Sequence, residues 1–401
     1  MPKKGNGIYQ RRDGRFEAIH YYGINPATGR PKKLTRYGKT AKEAKEKLQL
    51  AVAELTTGTM LDSTSMTLEQ WLNKWLEVYS KPNTKQSTFI SYEGYVRGHI
   101  IPNIGKLKLS QLNAEILQDF FNRQYESGRV DGKGGVSEKT LRNMRNMFHY
   151  ALQQACDNNL IQKNFIEQVK LPKVPQKEMR VLDDYEQFQL CTELNKSSER
   201  FAIGVYIALH TGMRIGEICG LHWDDIELSS DVGTVKVRRT LGRLMKYPDR
   251  NGKQKENEAS TEIVETPPKS QKSVRDIPID ESVCRILRSY RNKIFEERAA
   301  CREVYDKTGY VLCTEIGTHI EPSTLSDTYK RILAEAGIKD ANFHSLRHTF
   351  ATNAIKLGID PKTVSELLGH ADVSVTLNRY AHSFDEQKRQ AMKKIAAHLS
   401  P

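Results

Sequence analysis

The apolar positions of this chain change period along its length, and the changes mark out elements before any chemistry is considered. Near the front, "GIYQRRDGRFEAIHYYG" sets two short aromatic-rich runs on either side of Asp13-Gly14, and "RPKKLTRYG" follows the "NPATG" stretch. This predicts two strands joined by a tight turn and a third strand after a loop. "TAKEAKEKLQLAVAEL" then switches to helical spacing, with Thr40 placed to cap and Glu43 three residues on, the signature of a capping box. After the linker-like "TGTMLDSTS" (57–65), Leu68, Trp71, Leu72, Trp75 and Leu76 recur at i, i+3, i+4, i+7 and i+8. They form one apolar helical stripe, opened by a Thr67/Gln70 capping box. "QSTFISYEGYVRGHI", "NAEILQDFFNRQYESG" with a stop at Gly128, and "SEKTLRNMRNMFHYALQQACDN" keep the helical period, the last with Leu141, Met144, Phe148 and Leu152 on one face. Residues 67–166 are therefore expected to form an all-helical bundle.

The Pro- and Lys-containing "LPKVPQKEMR" (171–180) breaks this pattern and reads as an exposed connector. Beyond it, "DDYEQFQLCTELN", "RFAIGVYIALHTG" and "RIGEICGL" predict helices. "GTVKVRRTL" and "SVRDIPI" predict strands, separated by the polar loop "DRNGKQKENEASTE", and the chain is then expected to be helical to its end. No internal repeat or extended low-complexity tract is present. The fold class expected is multidomain and mainly α with small β-sheets: a three-stranded sheet plus helix over 1–60, a helical bundle over 66–170, and a mixed α/β domain over 180–401.

Charge adds a partner to this outline. A chain of 401 residues is too long for one ordinary core, and its formal charge of +13 points to a polyanion, nucleic acid before an anionic membrane. Residues 1–50 hold thirteen Lys or Arg against four Asp or Glu, so +9 of the surplus sits at the front. Tyr9, Phe16, Tyr21 and Tyr22 distinguish this segment from a solvated basic tail. A small basic sheet backed by one helix suits a reader lying in a DNA groove. No apolar run reaches the roughly 18 residues of a membrane span, and "MPKKGNGIYQRRDG" lacks the apolar core of a signal peptide. A soluble, cytoplasmic protein without a membrane partner is expected. The six cysteines (Cys156, Cys191, Cys219, Cys284, Cys301, Cys313) form no C-x-x-C pair and read as reduced thiols.

Four stretches concentrate polar residues that are awkward to explain as surface: "HTGMRIGEICGLHWDDI", "PPKSQKSVRDIPI", "FHSLRHTFATNAIKLGID" and "LGHADVSVTLNRYAH". Arg214 sits at a turn into a helix between apolar runs that argue against free exposure, and Glu217, three residues on, is placed to orient it by an ion pair. In "HSLRH", His344 and Arg347 share a helical face, with His348 at i+4. This H-x-x-x-H lacks both the glutamate of H-E-x-x-H and a third ligand at a characteristic spacing, so no metal is expected and His348 reads as a packing residue. "IDPKTVSELLGHADVSVTLNRY" also fits a helix-turn-helix: Asp360 caps, Pro361 takes the first helical position, Gly369 ends the helix, and a second helix starts near Ser374. On that reading Tyr380 only packs.

Together the four stretches resemble the catalytic domain of the tyrosine recombinases, the integrases of phages and conjugative transposons. The likeness extends over 181–385 and is strongest in the last 60 residues. "HIIPNIGKLKLSQL" (99–112) is similar to the family's helical core-binding domain, and residues 1–60 look like its arm-type DNA-binding domain. The resemblance implies a catalytic set of Arg214, Lys269, His344, Arg347, His370 and Tyr380. Two arginines suit a phosphorane because guanidinium is always charged and its fork matches two phosphate oxygens. A free tyrosine has a pKa of about 10 and needs a base, for which His344 is cast, with His370 as donor to a non-bridging oxygen, duties that the two histidines could also share or exchange. Lys269, on a mobile hairpin, is cast to protonate the departing 5′ oxygen, with Lys272 as competitor. The implied reaction passes through a 3′-phosphotyrosine, needs no metal or ATP cofactor, and integrates or excises a mobile element. The implied partners are duplex DNA at core and arm sites, a tetramer of this chain on that DNA, and a directionality factor. Two rivals stand beside this reading: a non-catalytic helix-turn-helix DNA-binding protein, and a strand-swivelling enzyme of the type IB topoisomerase class.

Overall fold

The computed structural model describes residues 7–24, 30–56, 66–173, 179–229, 232–246, 261–268, 273–301, 303–370 and 372–379, with 392–393 and 395–396. The expected linker 57–65, most of the polar loop after residue 246, Lys269, Lys272, Tyr380 and nearly all of the expected C-terminal helix lie outside the described residues. The chain divides into two compact units, Met1–Pro175 and Gln176–Pro401.

In the first unit, β1 (Gly7–Gln10), β2 (Phe16–Ile24) and β3 (Pro31–Gly38) form an antiparallel sheet in sequence order, with Gly7 opposite Ile19 and Phe16 opposite Gly38. The turn falls at Asp13-Gly14, where Gly14 takes a φ of +82° and the Asp13 carboxylate accepts from the Arg15 amide and guanidinium. Helix α1 (Ala41–Thr56) packs on the sheet through Ala44 and Ala51. Its cap differs from expectation by one residue. Thr40 Oγ1 accepts from the Glu43 amide at 3.1 Å, but the Glu43 carboxylate accepts from the Lys39 amide at 2.8 Å.

The helical part follows its apolar stripes. Helix α2 (Leu68–Trp75) runs through a π-helical turn at Leu76–Ser80 into α3 (Lys81–Asn83), and α4 (Gln86–Tyr95) runs through another at Val96–Ile100 into α5 (Ile101–Ile104). Helices α6 (Ala114–Ser127) and α7 (Glu138–Asp157) complete it. The Thr67/Gln70 box forms reciprocally, at 3.2 and 3.0 Å. Leu68, Trp71, Leu72, Trp75 and Leu76 are all buried, and the Trp71 indole N–H donates to the Ala151 carbonyl at 2.9 Å, fixing α2 against α7.

The second unit is built on α9 (Ala202–Thr211), which is apolar on all sides and accordingly central. Around it lie α8 (Asp184–Lys196), α10 (Ile215–Cys219), α11 (Glu281–Ala300), α12 (Pro322–Glu335) and α13 (Phe343–Lys356). Helices α14 (Pro361–Leu368) and α15 (Val373–Arg379) follow as a pair. The expected strand "GTVKVRRTL" splits in two. β5 (Gly233–Val237) lies between β4 (Ile226–Glu227) and β8 (Arg275–Ile279), whereas β6 (Thr240–Met245) pairs with β7 (Thr261–Thr266) in a separate ribbon. The break at Arg238-Arg239 coincides with ion pairs from both arginines to Asp225. β7 escaped the sequence reading because "TEIVET" holds only two apolar residues. Residues 303–321 are not helical as expected: Gly309 and Gly317 take φ of +78° and +82°, and the backbones of Cys313 and His319 pair in an isolated antiparallel β-bridge.

Gly216 on α10 and Gly220 at its C-terminal cap let that helix rest on β6. A Cβ at Gly216 would stand 2.8 Å from the Leu241 carbonyl oxygen, and one at Gly220 would stand 3.0 Å from the Leu241 nitrogen. Gly216→Ala is therefore expected to lose about 1–3 kcal/mol in urea denaturation, although alanine is the better helix former. A variant as stable as the parent would show that α10 does not rest on β6.

Candidate active site

Helix α14 opens with Asp360 accepting from the Lys362 and Thr363 amides and with Pro361 at its first position. It ends at Gly369, which takes a φ of +64°. A helix end leaves carbonyls without intrahelical partners and carries partial negative charge. Here three consecutive carbonyls are each taken by an arginine from a different part of the chain. Arg275 Nε, on β8, donates to Leu367 O at 2.6 Å. Arg347 Nη2, on α13, donates to Leu368 O at 2.5 Å, and Arg214 Nη2, at the start of α10, reaches Gly369 O at 3.4 Å. Arg347 Nη1 also donates to Gly212 O at 2.8 Å, the residue that ends α9 two positions before Arg214. Gly212 has a φ of +62°, and a Cβ there would meet the Phe350 ring at 2.6 Å, so both its conformation and its space require glycine.

Glu217 balances part of this charge. It is 2% exposed and pairs with Arg214 Nη1 at 2.7 Å and with Arg275 Nη2 at 2.9 Å, while its carboxylate also accepts the Arg214 amide at 2.9 Å. Burial pushes the Glu217 carboxyl upward, but the hydrogen bond and charge of Arg275, then the amide and charge of Arg214, outweigh it and hold the group below its ordinary 4.5. Among the described residues, three guanidinium groups gather at the end of α14, and two of them, Arg214 and Arg275, pair with the Glu217 carboxylate. Arg347 is buried, whereas the Arg214 side chain keeps 38% of its surface exposed.

His370 follows directly. Its amide donates to Ser365 O at 3.0 Å, and its Nδ1 lies 2.7 Å from the hydroxyl of Thr376, which is fully buried on α15. The chain turn after α14 thus carries His370 from the arginine cluster onto α15, whose next residue after Arg379 is Tyr380. His344 lies in the first turn of α13, exposed, behind the Asn342/Ser345 cap, with its ring edge-on to His348 at 4.6 Å between centroids. His348 is 8% exposed. Of the expected set, Arg214, Arg347 and His370 converge at the end of α14, and His344 stands one helical turn before Arg347. The connection between β7 and β8 that bears Lys269 and Lys272 begins at buried Pro268 and ends at buried Ser273. Among the described residues, no group of three or more His, Cys, Asp or Glu side chains is arranged to hold a metal ion.

The model of the phage integrase family matches residues 180–387, and that of the phage integrase N-terminal SAM-like domain matches residues 67–124. The chain belongs to the phage integrase family. It is a tyrosine site-specific recombinase. Among curated relatives, the recombinase is similar to a "Tyrosine recombinase XerC-like" of Caldanaerobacter subterraneus, 32% identical over 98% of this chain and 99% of that one. Its fold is similar to that of the Tn1549 transposon integrase solved with a circular intermediate DNA, with a TM-score of 0.64 at 21% identity over 82% of this chain and 100% of that one. It is also similar to a lambda integrase in a tetramer bound to a Holliday junction, with a TM-score of 0.54 at 17% identity over 92% and 94% of the two chains. Neither the non-catalytic reading nor the strand-swivelling one is supported by these comparisons.

Two residues of the recombinase's site escaped sequence reading. Arg275 had one usable signal: in "SVRDIPI" it falls in line with Ile277 and Ile279, the inward positions of β8, where a charged residue must find a partner. Thr376 had none, since its hydroxyl matters only through the turn that returns His370 to it.

The lowered Glu217 carboxyl gives a signed pH dependence. Its stabilising contribution is complete above its ordinary 4.5 and is lost as pH falls through the lower folded value. Glu217→Gln, which leaves Arg275 without its anion, is expected to lose about 3–5 kcal/mol at neutral pH in urea denaturation. Its deficit should shrink as the pH drops below 4.5. A deficit independent of pH would mean that the carboxylate charge contributes nothing.

Proposed function

We propose that this recombinase cuts and rejoins duplex DNA at the ends of a mobile element, with Tyr380 as nucleophile and Arg214, Lys269, His344, Arg347 and His370 as its catalytic partners. The observation that carries the assignment is the convergence of Arg214, Arg347 and His370 on the end of α14, ten residues before Tyr380. A phosphorane gains negative charge on its equatorial oxygens, and guanidinium groups, always charged and forked, suit that charge. Tyr380 Oη forms a bond to phosphorus as the bond to the 5′ oxygen breaks. The tyrosine proton passes to His344, and the departing oxygen takes a proton from Lys269. His370 serves as a donor from Nε2 when the Thr376 hydroxyl donates to Nδ1, which fixes the required tautomer. The freed 5′-hydroxyl of a partner strand then attacks the phosphotyrosine and reseals the DNA. The phosphodiester energy stays in the protein–DNA bond, so this sequence uses no cofactor.

Residues 1–60 serve as an arm-site domain, 66–170 as a core-binding domain and 180–401 as the catalytic domain. A tetramer on DNA, a directionality factor and action in the cytoplasm complete the proposal. Solved relatives bound to DNA, one of them in a tetramer on a Holliday junction, support the DNA and the tetramer.

Nicked suicide substrates bearing element ends, incubated in EDTA, test the chemistry. The parent is expected to form a covalent adduct on a denaturing gel, and Tyr380→Phe is expected to form none; an adduct with the phenylalanine variant overturns the nucleophile. Loss of His344 is expected to slow cleavage by about 10²- to 10⁴-fold. Replacing the 5′ leaving oxygen with sulfur should restore Lys269→Ala but not Arg214→Ala, whereas restoration of Lys272→Ala instead would move the acid to Lys272. Deleting residues 1–60 is expected to abolish arm-site binding and leave core-site cleavage; retained arm binding would refute the front domain's role.

A further inference from the structure

We propose that Arg275 is a positioning residue of the cleavage reaction, the side chain that sets the phosphate clamp and the histidine turn relative to one another and holds the backbone at Ser273. The inference rests on the proposed roles of Arg214, His370 and Lys269. Arg275 lies on β8, an edge strand that tolerates Pro278, and its side chain is 6% exposed beside Ile277 and Ile279. A buried guanidinium is retained only where its donors and its charge are met. Here both are met, and each contact leads to a different catalytic segment.

Nη2 and Nη1 reach the two Glu217 oxygens at 2.9 and 3.3 Å, and the same carboxylate holds the Arg214 guanidinium and amide. Nε holds Leu367 O at 2.6 Å, next to the Leu368 carbonyl that Arg347 takes and three residues before His370. Nη1 returns to Ser273 O at 3.0 Å, four residues after Lys269 in the chain. No other described side chain hydrogen-bonds to the Glu217 carboxylate, the end of α14 and Ser273 together. The Gly369 turn is fitted to it as well, since a Cβ there would stand 3.0 Å from Arg275 Nη1.

A lysine would keep the charge but offers one point where the fork offers several directions, so Arg275→Lys isolates geometry from charge. Single-turnover cleavage of an element-end substrate by the full chain is the readout. It is run on the natural phosphate and on a methylphosphonate, in which a methyl group replaces a non-bridging oxygen and removes the negative charge. A misplaced clamp matters less when there is less charge to stabilise, whereas a smaller folded fraction lowers both rates equally and cancels in their ratio.

On the natural phosphate, Arg275→Lys is expected to cleave about 10²-fold more slowly with DNA affinity unchanged. On the methylphosphonate its deficit is expected to narrow, as that of Arg214→Ala narrows. Parental rates for both Arg275→Lys and Arg275→Gln overturn the proposal. So does a deficit of equal size on the two substrates while Arg214→Ala narrows, which assigns Arg275 a purely structural role. If Arg214→Ala itself fails to narrow, the clamp reading falls and takes the role of Arg275 with it.

Discussion

The end of helix α14 is the point on which the catalytic unit depends. Three guanidinium groups, from β8, α10 and α13, each hold one of three successive carbonyls there. The helix end supplies only about half a negative charge, far short of three cations. Glu217, paired with Arg214 and Arg275, supplies a full one. Hydrogen bonds to charged groups are worth about 1.5–3 kcal/mol each, so the arrangement is stiff. Stiffness is what phosphoryl transfer asks of its surroundings, because donors fixed in advance need no reorganisation as charge develops.

The rest of the unit can be understood as support for that point. Central α9 ends in the left-handed turn at Gly212, α14 ends in the same way at Gly369, and Arg347 spans the two ends. Gly216 on α10 and Gly220 at its cap bring that helix down on β6, and the capping carboxylate of Glu217 fixes its start at Arg214. The hairpin that leads toward Lys269 is held at its base by a second polar cluster. There Tyr310 donates to Glu265 at 2.9 Å, and His222 lies 3.3 Å from the same carboxylate.

What the sequence made legible was local. The stripe from Leu68 to Leu76 and the Thr67/Gln70 cap are properties of one helix, and they appear as read. The Arg214–Glu217 pair spans three residues and was equally accessible. Arg275 was not, since its partners Glu217 and Leu367 stand 58 and 92 residues away and no periodicity links them. The split at Arg238-Arg239 was hidden for the same reason, because Asp225 and Glu265 act from other segments. Resemblance supplied what periodicity did not, the ordered set from Arg214 to Tyr380, whereas Arg275, the buried arginine bonded to Glu217 and Leu367, lies outside that set.

A structure of the covalent complex, trapped on a nicked element-end substrate, tests the central claim most directly. The account predicts a phosphate joined to Tyr380 Oη, with the Arg214 and Arg347 guanidinium groups hydrogen-bonded to its non-bridging oxygens while Arg275 still holds Glu217 and Leu367. A phosphate joined to another side chain, or one lying away from the end of α14 with both arginines turned from it, would contradict the account.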